Sequence, residues 1–326
     1  MKKLITIIIP VYNEEKSLPL LFDRLKNLVE VSRDYDFEFL FINDGSNDKT
    51  LSILQHISKE NPHISYLNFS RNFGKEIAVT AGIDHADGDA VVIMDADGQE
   101  PPELIPEMIK WWEKGYDDVY ARRKTYQGGK FNHFTSQLYY RVLQKATRVP
   151  IQIDTGDFRL FSRRCILALR QFREVERQNK ALFSWVGYKK KEIFFEHEKR
   201  RAGTTKWNFW GRLNLAIDGF TSFTTAPLRF ATLFGTLVSL AAFVYIIIIL
   251  IQAAIGLPRA SGFNTLLIIV LFLGGIQLIS LGIIGEYVGR IFAETKNRPL
   301  YLVEEFHRAK VAKNDDRDKS KEADEE

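Results

Sequence analysis

Two uncharged apolar stretches, Phe230–Ile255 and Phe263–Gly285, constrain this chain more than any other feature. Each exceeds the roughly 20 apolar residues needed to cross a bilayer as a helix. The connector Gly256-Leu-Pro-Arg-Ala-Ser-Gly262 leaves room only for a tight hairpin. It carries one basic residue, Arg259, whereas Arg212, Arg229, Arg290, Lys296 and Arg298 flank the pair outside. Positive flanks mark the cytoplasmic side, so both termini and everything before the hairpin are expected there. Glu286 is expected at the interface. Upstream, Trp207–Thr225 sets Trp207, Phe209, Trp210, Leu213, Leu215, Ile217 and Phe220 among polar residues. This reads as an amphipathic helix lying on the bilayer, with an ordinary core helix as the alternative. Lys313–Glu326 is almost entirely charged and is expected to be a disordered tail.

The rest of the chain has the composition of a globular domain. Of 326 residues, 45% are hydrophobic and 26% charged, with a formal charge of +4. That balance gives no reason to expect nucleic acid. The lone cysteine, Cys165, excludes an internal disulfide, fits a reducing compartment and reads as a small core residue. Met1-Lys2-Lys3 leads into a short run that meets Pro10 at once, so it reads as a first strand rather than a leader.

From Leu4 to about Arg123, strand and helix patterns alternate. Strands are expected at Leu4–Val11, Phe37–Asn43, Ile64–Phe69, Ala90–Met94 and Asp118–Ala121. Helices are expected at Ser17–Val31, after Asp48, at Gly74–His85 and from Pro101-Pro102 through Trp112. Such alternation implies an α/β fold, a parallel sheet with helices on both faces. Beyond Arg123 a helix is expected over Phe131–Thr147, a compact polar segment over Asp154–Phe161, a helix from Arg163 and a late strand around Ile193-Phe194-Phe195.

The chemistry concentrates at Asp95-Ala-Asp97-Gly98-Gln99, directly after the apolar run Ala90–Met94. Carboxylates one residue apart at a strand end point the same way. Paired hard oxygens suit Mg²⁺ or Mn²⁺, which bind with help from substrate phosphates. Open α/β sheets hold ligands beyond the carboxyl ends of their strands, so a metal–diphosphate complex is expected here. An EF-hand reading fails, because the glycine arrives too early and no third ligand precedes it.

Four segments fall at or just beyond strand ends: Pro10-Val-Tyr-Asn-Glu14, Asn43-Asp44-Gly45-Ser46, Ser70-Arg-Asn-Phe-Gly74-Lys75 and the Asp95–Gln99 turn. Together they resemble the nucleotide-sugar-binding domain of family 2 glycosyltransferases, the Rossmann-like GT-A fold. Asp154-Thr-Gly-Asp157-Phe-Arg159-Leu and Arg201-Ala-Gly203-Thr-Thr205-Lys206-Trp resemble acceptor-side motifs of polyprenyl-phosphate glycosyltransferases. Dolichol-phosphate mannose synthase and the bactoprenol glucosyltransferases are members of that group. With the hairpin, the likeness runs from residue 4 to about 300. The plan it implies is a catalytic domain over 1–205, a juxtamembrane region over 206–228, a hairpin over 229–287 and a C-terminal segment over 288–326.

The resemblance implies inverting transfer of one sugar, first of all from UDP-glucose, to polyprenyl phosphate at a bacterial inner membrane. In this reading Asp44 binds the base or ribose, and Pro10, Tyr12 and Glu14 line the same pocket. Gly74 permits close backbone approach, Lys75 reaches a phosphate, and Arg122 binds the nucleotide sugar or the acceptor phosphate. Asp95, Asp97 and Gln99 hold the metal. Arg123, Arg141, Arg159, Arg200, Arg201 and Lys206 are candidates for the acceptor phosphate, which arginine binds bidentately. Asp157, with Asp154 second, faces the attacking phosphate, unless the two form only a loop-closing ion pair with Arg159. Lys189-Lys190-Lys191 is a solvated face or an attraction for anionic headgroups. A homo-oligomer, commonly a tetramer, and a separate small flippase are the expected partners.

Three other classes compete. A processive polysaccharide synthase would carry Gln-x-x-Arg-Trp and more spans, and the chain lacks that motif. A non-catalytic adaptor would have no need of Asp95, Asp97 and Gln99. A Rossmann dehydrogenase would show Gly-x-Gly-x-x-Gly after its first strand, where Pro10-Val-Tyr-Asn-Glu14 stands.

Overall fold

The computed structural model describes residues 2–123, 155–175, 177–195, 225–255 and 262–312. They form two units, one holding the sheet together with the chain from Arg298 onward, the other the two long helices. The expected helices at Phe131–Thr147 and Trp207–Thr225, and the tail at Lys313–Glu326, lie outside the described residues.

Eight strands make one sheet: β1 (Lys3–Val11), β2 (Tyr35–Asn43), β3 (Ile64–Phe69), β4 (Ala90–Ile93), β5 (Asp118–Arg123), β6 (Thr155–Ser162), β7 (Lys190–Phe195) and β8 (Val303–His307). Their spatial order is β7-β5-β6-β4-β1-β2-β3-β8. The middle of the sheet is parallel, with β1 between β2 and β4 and β3 outside β2. The whole sheet is mixed rather than parallel throughout. Strand β6 enters antiparallel between β4 and β5, and β8 closes the far edge antiparallel to β3.

The helices of this unit are α1 (Leu18–Val31), α2 (Thr50–Glu60), α3 (Lys75–His85), α4 (Ile105–Glu113), α5 (Arg163–Arg170) and α6 (Asn179–Trp185). Strand side chains alternate faces, and the core divides accordingly. On one face Ile5, Ile7, Ile9, Phe37, Phe39 and Phe41 pack with Leu21 and Leu25 of α1, Leu54 of α2 and Met108 of α4. On the other, Ile8, Leu40, Ile42, Val91 and Ile93 pack with Val79 of α3 and with Cys165 and Leu169 of α5. Cys165 is buried in that layer, and burial pushes its thiol up, as befits a core residue.

The second unit contains α7 (Ala226–Ala254) and α8 (Phe263–Thr295), which contact each other. The windows Pro227–Tyr245 and Ile269–Thr295 are long and apolar enough to cross a membrane, with mean hydropathies of 1.6 and 2.0. Helix α8 runs past the expected boundary at Gly285 and carries Glu286 into an i,i+4 pair with Arg290 at 2.8 Å. The chain then rejoins the sheet as β8, an element the sequence reading had left inside its C-terminal segment.

Candidate active site

Strand β4 brings the first carboxylates. Beyond Met94 the chain turns, and Asp95 and Asp97 stand half-buried at the carboxyl end of the strand. Glu100 Oε2 accepts the Asp95 N–H at 2.8 Å, and Asp97 Oδ1 accepts the Gln99 N–H at 3.1 Å. Gly98 takes φ 72°, a left-handed conformation that a side chain would disfavour. Gln99 thus stays beside Asp97 in one tight turn.

Strand β6 brings the third carboxylate. It is antiparallel to β4, with Arg159 opposite Ile93, so its opening residues lie where β4 ends. Asp157 therefore arrives beside Asp95. Lys75, in the first turn of α3, joins them: its Nζ is 2.7 Å from Asp95 Oδ1 and 2.9 Å from Asp157 Oδ2. Burial opposes the Lys75 charge, but the two carboxylates hold the ammonium well above its ordinary value. Burial would raise the Asp157 carboxyl as well, yet Lys75 outweighs it and keeps the group below the ordinary range. Asp95 stays raised by burial, offset only in part by Lys75, and Glu100 is raised well above its usual value by burial and then by Asp95.

Asp95 and Asp157 thus share one ammonium, with Glu100 near enough to feel its charge and Asp97 near enough to Asp95 to feel its charge. Surplus hard oxygens at a strand end fit a divalent cation. Among the described residues no group of three or more His, Cys, Asp or Glu is arranged to hold a metal by itself. An ion bound here would need further ligands from water or a substrate.

Asp44 is 3% exposed, and its two oxygens accept the N–H groups of Phe73 at 2.6 Å and Gly74 at 2.9 Å. Burial raises this carboxyl, and those two hydrogen bonds only partly offset it. A Cβ on Gly45 would stand 2.4 Å from the Arg71 carbonyl carbon, so the turn and the Ser70–Gly74 loop approach as closely as glycine allows. Asp44 is therefore a clasp on that loop, and contact with a base or ribose is left to its remaining lone pairs. Gly74 takes φ 98° and gives α3 its start. Pro10 is half-buried and Tyr12 is exposed at the end of β1. Glu14 accepts from the Ser17 hydroxyl and donates its N–H to Thr50 Oγ1 at 2.9 Å.

The expected cations separate into distinct cases. Arg123 is exposed at the end of β5. Arg122 is paired with Glu192 at 3.0 Å. Arg159 corrects the sequence reading: it is 0% exposed, pairs with Asp118 at 3.3 Å, and lies 4.9 Å from the Phe183 ring centroid. Such a group is an internal cation with no face for a lipid phosphate. Its partner is Asp118, and Asp157 pairs with Lys75 in place of the anticipated Arg159. Asp154, Arg141, Arg200, Arg201 and Lys206 lie outside the described residues.

Three site neighbours escaped the sequence reading. Glu100 follows Gln99 directly, but nothing in its spacing marks it as the acceptor for the Asp95 N–H. Glu76 holds Asn179, accepting its N–H at 2.8 Å through Oε2 and its Nδ2 at 2.9 Å through the backbone oxygen. Lys180 thereby lies near enough to Asp157 to feel its charge, while burial pushes the ammonium down. Only the docking of α6 brings Lys180 there, and no local pattern announces it.

Comparison with known proteins gives matches along most of the chain. The glycosyl transferase family 2 model matches residues 6–169, and the GtrB C-terminal hairpin model matches residues 226–291. An uncharacterized glycosyltransferase of Synechocystis is 45% identical over 93% of this chain and 95% of its own. The SfII prophage-derived bactoprenol glucosyl transferase of Shigella flexneri is 39% identical over 93% of this chain and 98% of its own. A mannosyltransferase from Pyrobaculum calidifontis, solved with GDP-Man and Mn²⁺, superposes with a TM-score of 0.43 at 19% identity, over 86% of this chain and 88% of that one.

Proposed function

The chain belongs to glycosyltransferase family 2, and from that premise we propose that it transfers one sugar from a nucleotide donor to polyprenyl phosphate at a membrane. The observation that carries this reading is the Asp95–Lys75–Asp157 bridge at the sheet end of a chain that also holds an apolar hairpin. The relatives named as bactoprenol glucosyl transferases match along nearly their whole length, hairpin included. UDP-glucose and undecaprenyl phosphate are accordingly the first choice of substrates. UDP-N-acetylglucosamine, GDP-mannose and a UDP-aminoarabinose are the alternatives for the donor.

The transfer forms a bond from a phosphate oxygen of the acceptor to C1 of the sugar. The bond from C1 to the nucleotide diphosphate breaks on the opposite face, its electron pair leaves with the diphosphate, and configuration inverts. A phosphate monoester has a second pKa near 6 and is largely dianionic at neutral pH, so it needs little help from a base. Asp157 then orients the incoming phosphate or the sugar rather than removing a proton. Tyr12 presents an exposed ring to the base, with Pro10 and Glu14 beside it. A Mg²⁺ or Mn²⁺ held by Asp95 and Asp97, with Gln99 adjacent, would neutralise charge developing on the leaving diphosphate. Arg123 supplies a cation for the acceptor phosphate, with Arg141, Arg201 and Lys206 as further candidates.

The basic flanks of the hairpin support a cytoplasmic catalytic domain and cytoplasmic termini. A lipid-linked sugar made there must cross the bilayer, so a separate flippase acts next. A homo-oligomer, commonly a tetramer, completes the proposal.

The test is transfer by purified full-length protein in detergent, with undecaprenyl phosphate, Mg²⁺ or Mn²⁺, and a panel of radiolabelled UDP- and GDP-sugars. An organic-soluble, mild-acid-labile product from one donor is expected. No lipid product from any donor, with UDP still bound, would refute the acceptor assignment.

A further inference from the structure

A line of hydrogen bonds crosses the strand ends from the donor-side loop to β8, and every donor in it points the same way. The Asn13 N–H donates to Ser46 Oγ at 2.9 Å. Ser46 Oγ donates to Asn43 Oδ1 at 2.5 Å, and Asn43 Nδ2 donates to Asn68 Oδ1 at 2.7 Å. Asn68 Nδ2 then donates to Glu304 Oε2 at 2.9 Å. The chemistry of both ends is fixed: a backbone N–H only donates, and an ionised carboxylate only accepts. Each asparagine between them has one oxygen face and one NH₂ face, so the two ends impose a single orientation on both amides. Asn43 is 1% exposed and Asn68 4%, which keeps bulk water from replacing a lost partner.

The line ends on a strained residue. Asn13 has φ 56°, a conformation few residues other than glycine adopt, and its Oδ1 accepts the Asn47 N–H at 2.9 Å. It lies inside Pro10–Glu14, between Tyr12 and Glu14. Glu304, at the other end, belongs to the strand that follows α8 in the chain. Strand β8 is held firmly: Glu305 accepts from Tyr66 Oη at 2.5 Å and from Gln55 Nε2 at 2.9 Å, and Ala309 N–H donates to Ser65 Oγ at 2.8 Å.

We propose that Glu304 is a positioning residue for donor binding. Its carboxylate sets the direction of the Asn68–Asn43–Ser46 line and so holds the Asn13 turn in the shape that meets the nucleotide. The proposal rests on the reading of Pro10–Glu14 as the donor loop. It gives the segment after the apolar hairpin a role in donor affinity.

Three variants of the full-length protein in detergent test it. Glu304→Gln keeps an acceptor oxygen and preserves the direction. Glu304→Lys offers only donors and forces both amides to turn over, which leaves the Ser46 hydroxyl proton without Asn43 Oδ1. Ser46→Ala breaks the line where it meets Asn13 and serves if the lysine variant does not fold. Hydrogen–deuterium exchange over residues 10–16 is read together with KM for UDP-glucose and kcat. In Glu304→Lys and Ser46→Ala, exchange is expected to rise about tenfold and KM about tenfold, with kcat within about twofold. Glu304→Gln is expected to match the wild type in all three. Wild-type exchange in a folded Glu304→Lys, or in Ser46→Ala, would overturn the proposal. So would faster exchange with unchanged KM, because the line would then not govern the donor. Wild-type protein that binds no UDP would sink the donor-loop reading instead, while the exchange result would still decide whether Glu304 holds the turn.

Discussion

Asp97 and Arg159 were both expected to touch substrate, and the structure separates them. Asp97 stands half-buried in the turn after β4. Asp97→Ala is expected to abolish transfer while leaving membrane insertion intact, since the apolar hairpin lies elsewhere in the chain. Full activity of that variant with added Mn²⁺ would contradict the metal assignment. Arg159 is fully buried against Asp118. Removing one partner of such a pair strands the other charge and costs about 3–5 kcal/mol. Arg159→Met should therefore lower the melting temperature sharply before it says anything about the acceptor. Unchanged melting with lost transfer would return Arg159 to the phosphate site.

Among the elements, β6 and β8 were the least legible. The parallel strands announced themselves through apolar runs such as Ile5–Ile9 and Val91–Ile93, buried on both faces. Strand β6 opens with Thr155, Gly156 and Asp157 and carries Arg159, so its sequence reads as polar. Asp118 from a neighbouring strand, the Gly156 carbonyl and the Phe183 ring make Arg159 tolerable inside. Strand β8 is a short edge strand whose Glu304 and Glu305 are satisfied by Asn68, Tyr66 and Gln55, distant residues that no local pattern reveals. The motifs at strand ends were legible because they depend on local turns. Their partners Glu100, Glu76 and Lys180 were not, because they depend on packing.

The junction of β5 with α5 has its own test. Asp117 accepts from Ser162 Oγ at 2.8 Å and from Arg164 Nε at 2.5 Å. Burial alone would raise its carboxyl, but these donors hold it below the ordinary value. A carboxyl depressed by folding contributes stability above its unfolded pKa and loses it as pH falls through the folded one. Asp117→Asn is expected to melt below the wild type near pH 6, with the gap closing on acidification towards about pH 3. A gap that persists unchanged in acid would show that the Asp117 charge contributes nothing.

At the scale of the whole molecule, a family 2 glycosyltransferase domain and an apolar hairpin share one chain, and the C-terminal segment completes the sheet. The hairpin was readable in the sequence because each uncharged run is long enough to cross a bilayer and a short connector joins them. The antiparallel entry of β6 was not, yet it sets Asp157 beside Asp95 and makes the sheet end a site.

The most direct measurement compares wild type and Asp157→Asn in one detergent preparation, reading transfer to undecaprenyl phosphate and UDP affinity together. The expected result is a lipid-linked product from the wild type and a rate about a hundredfold lower in the variant, with UDP affinity unchanged. Near-normal turnover in Asp157→Asn would contradict the account and reduce the Lys75 bridge to a structural contact.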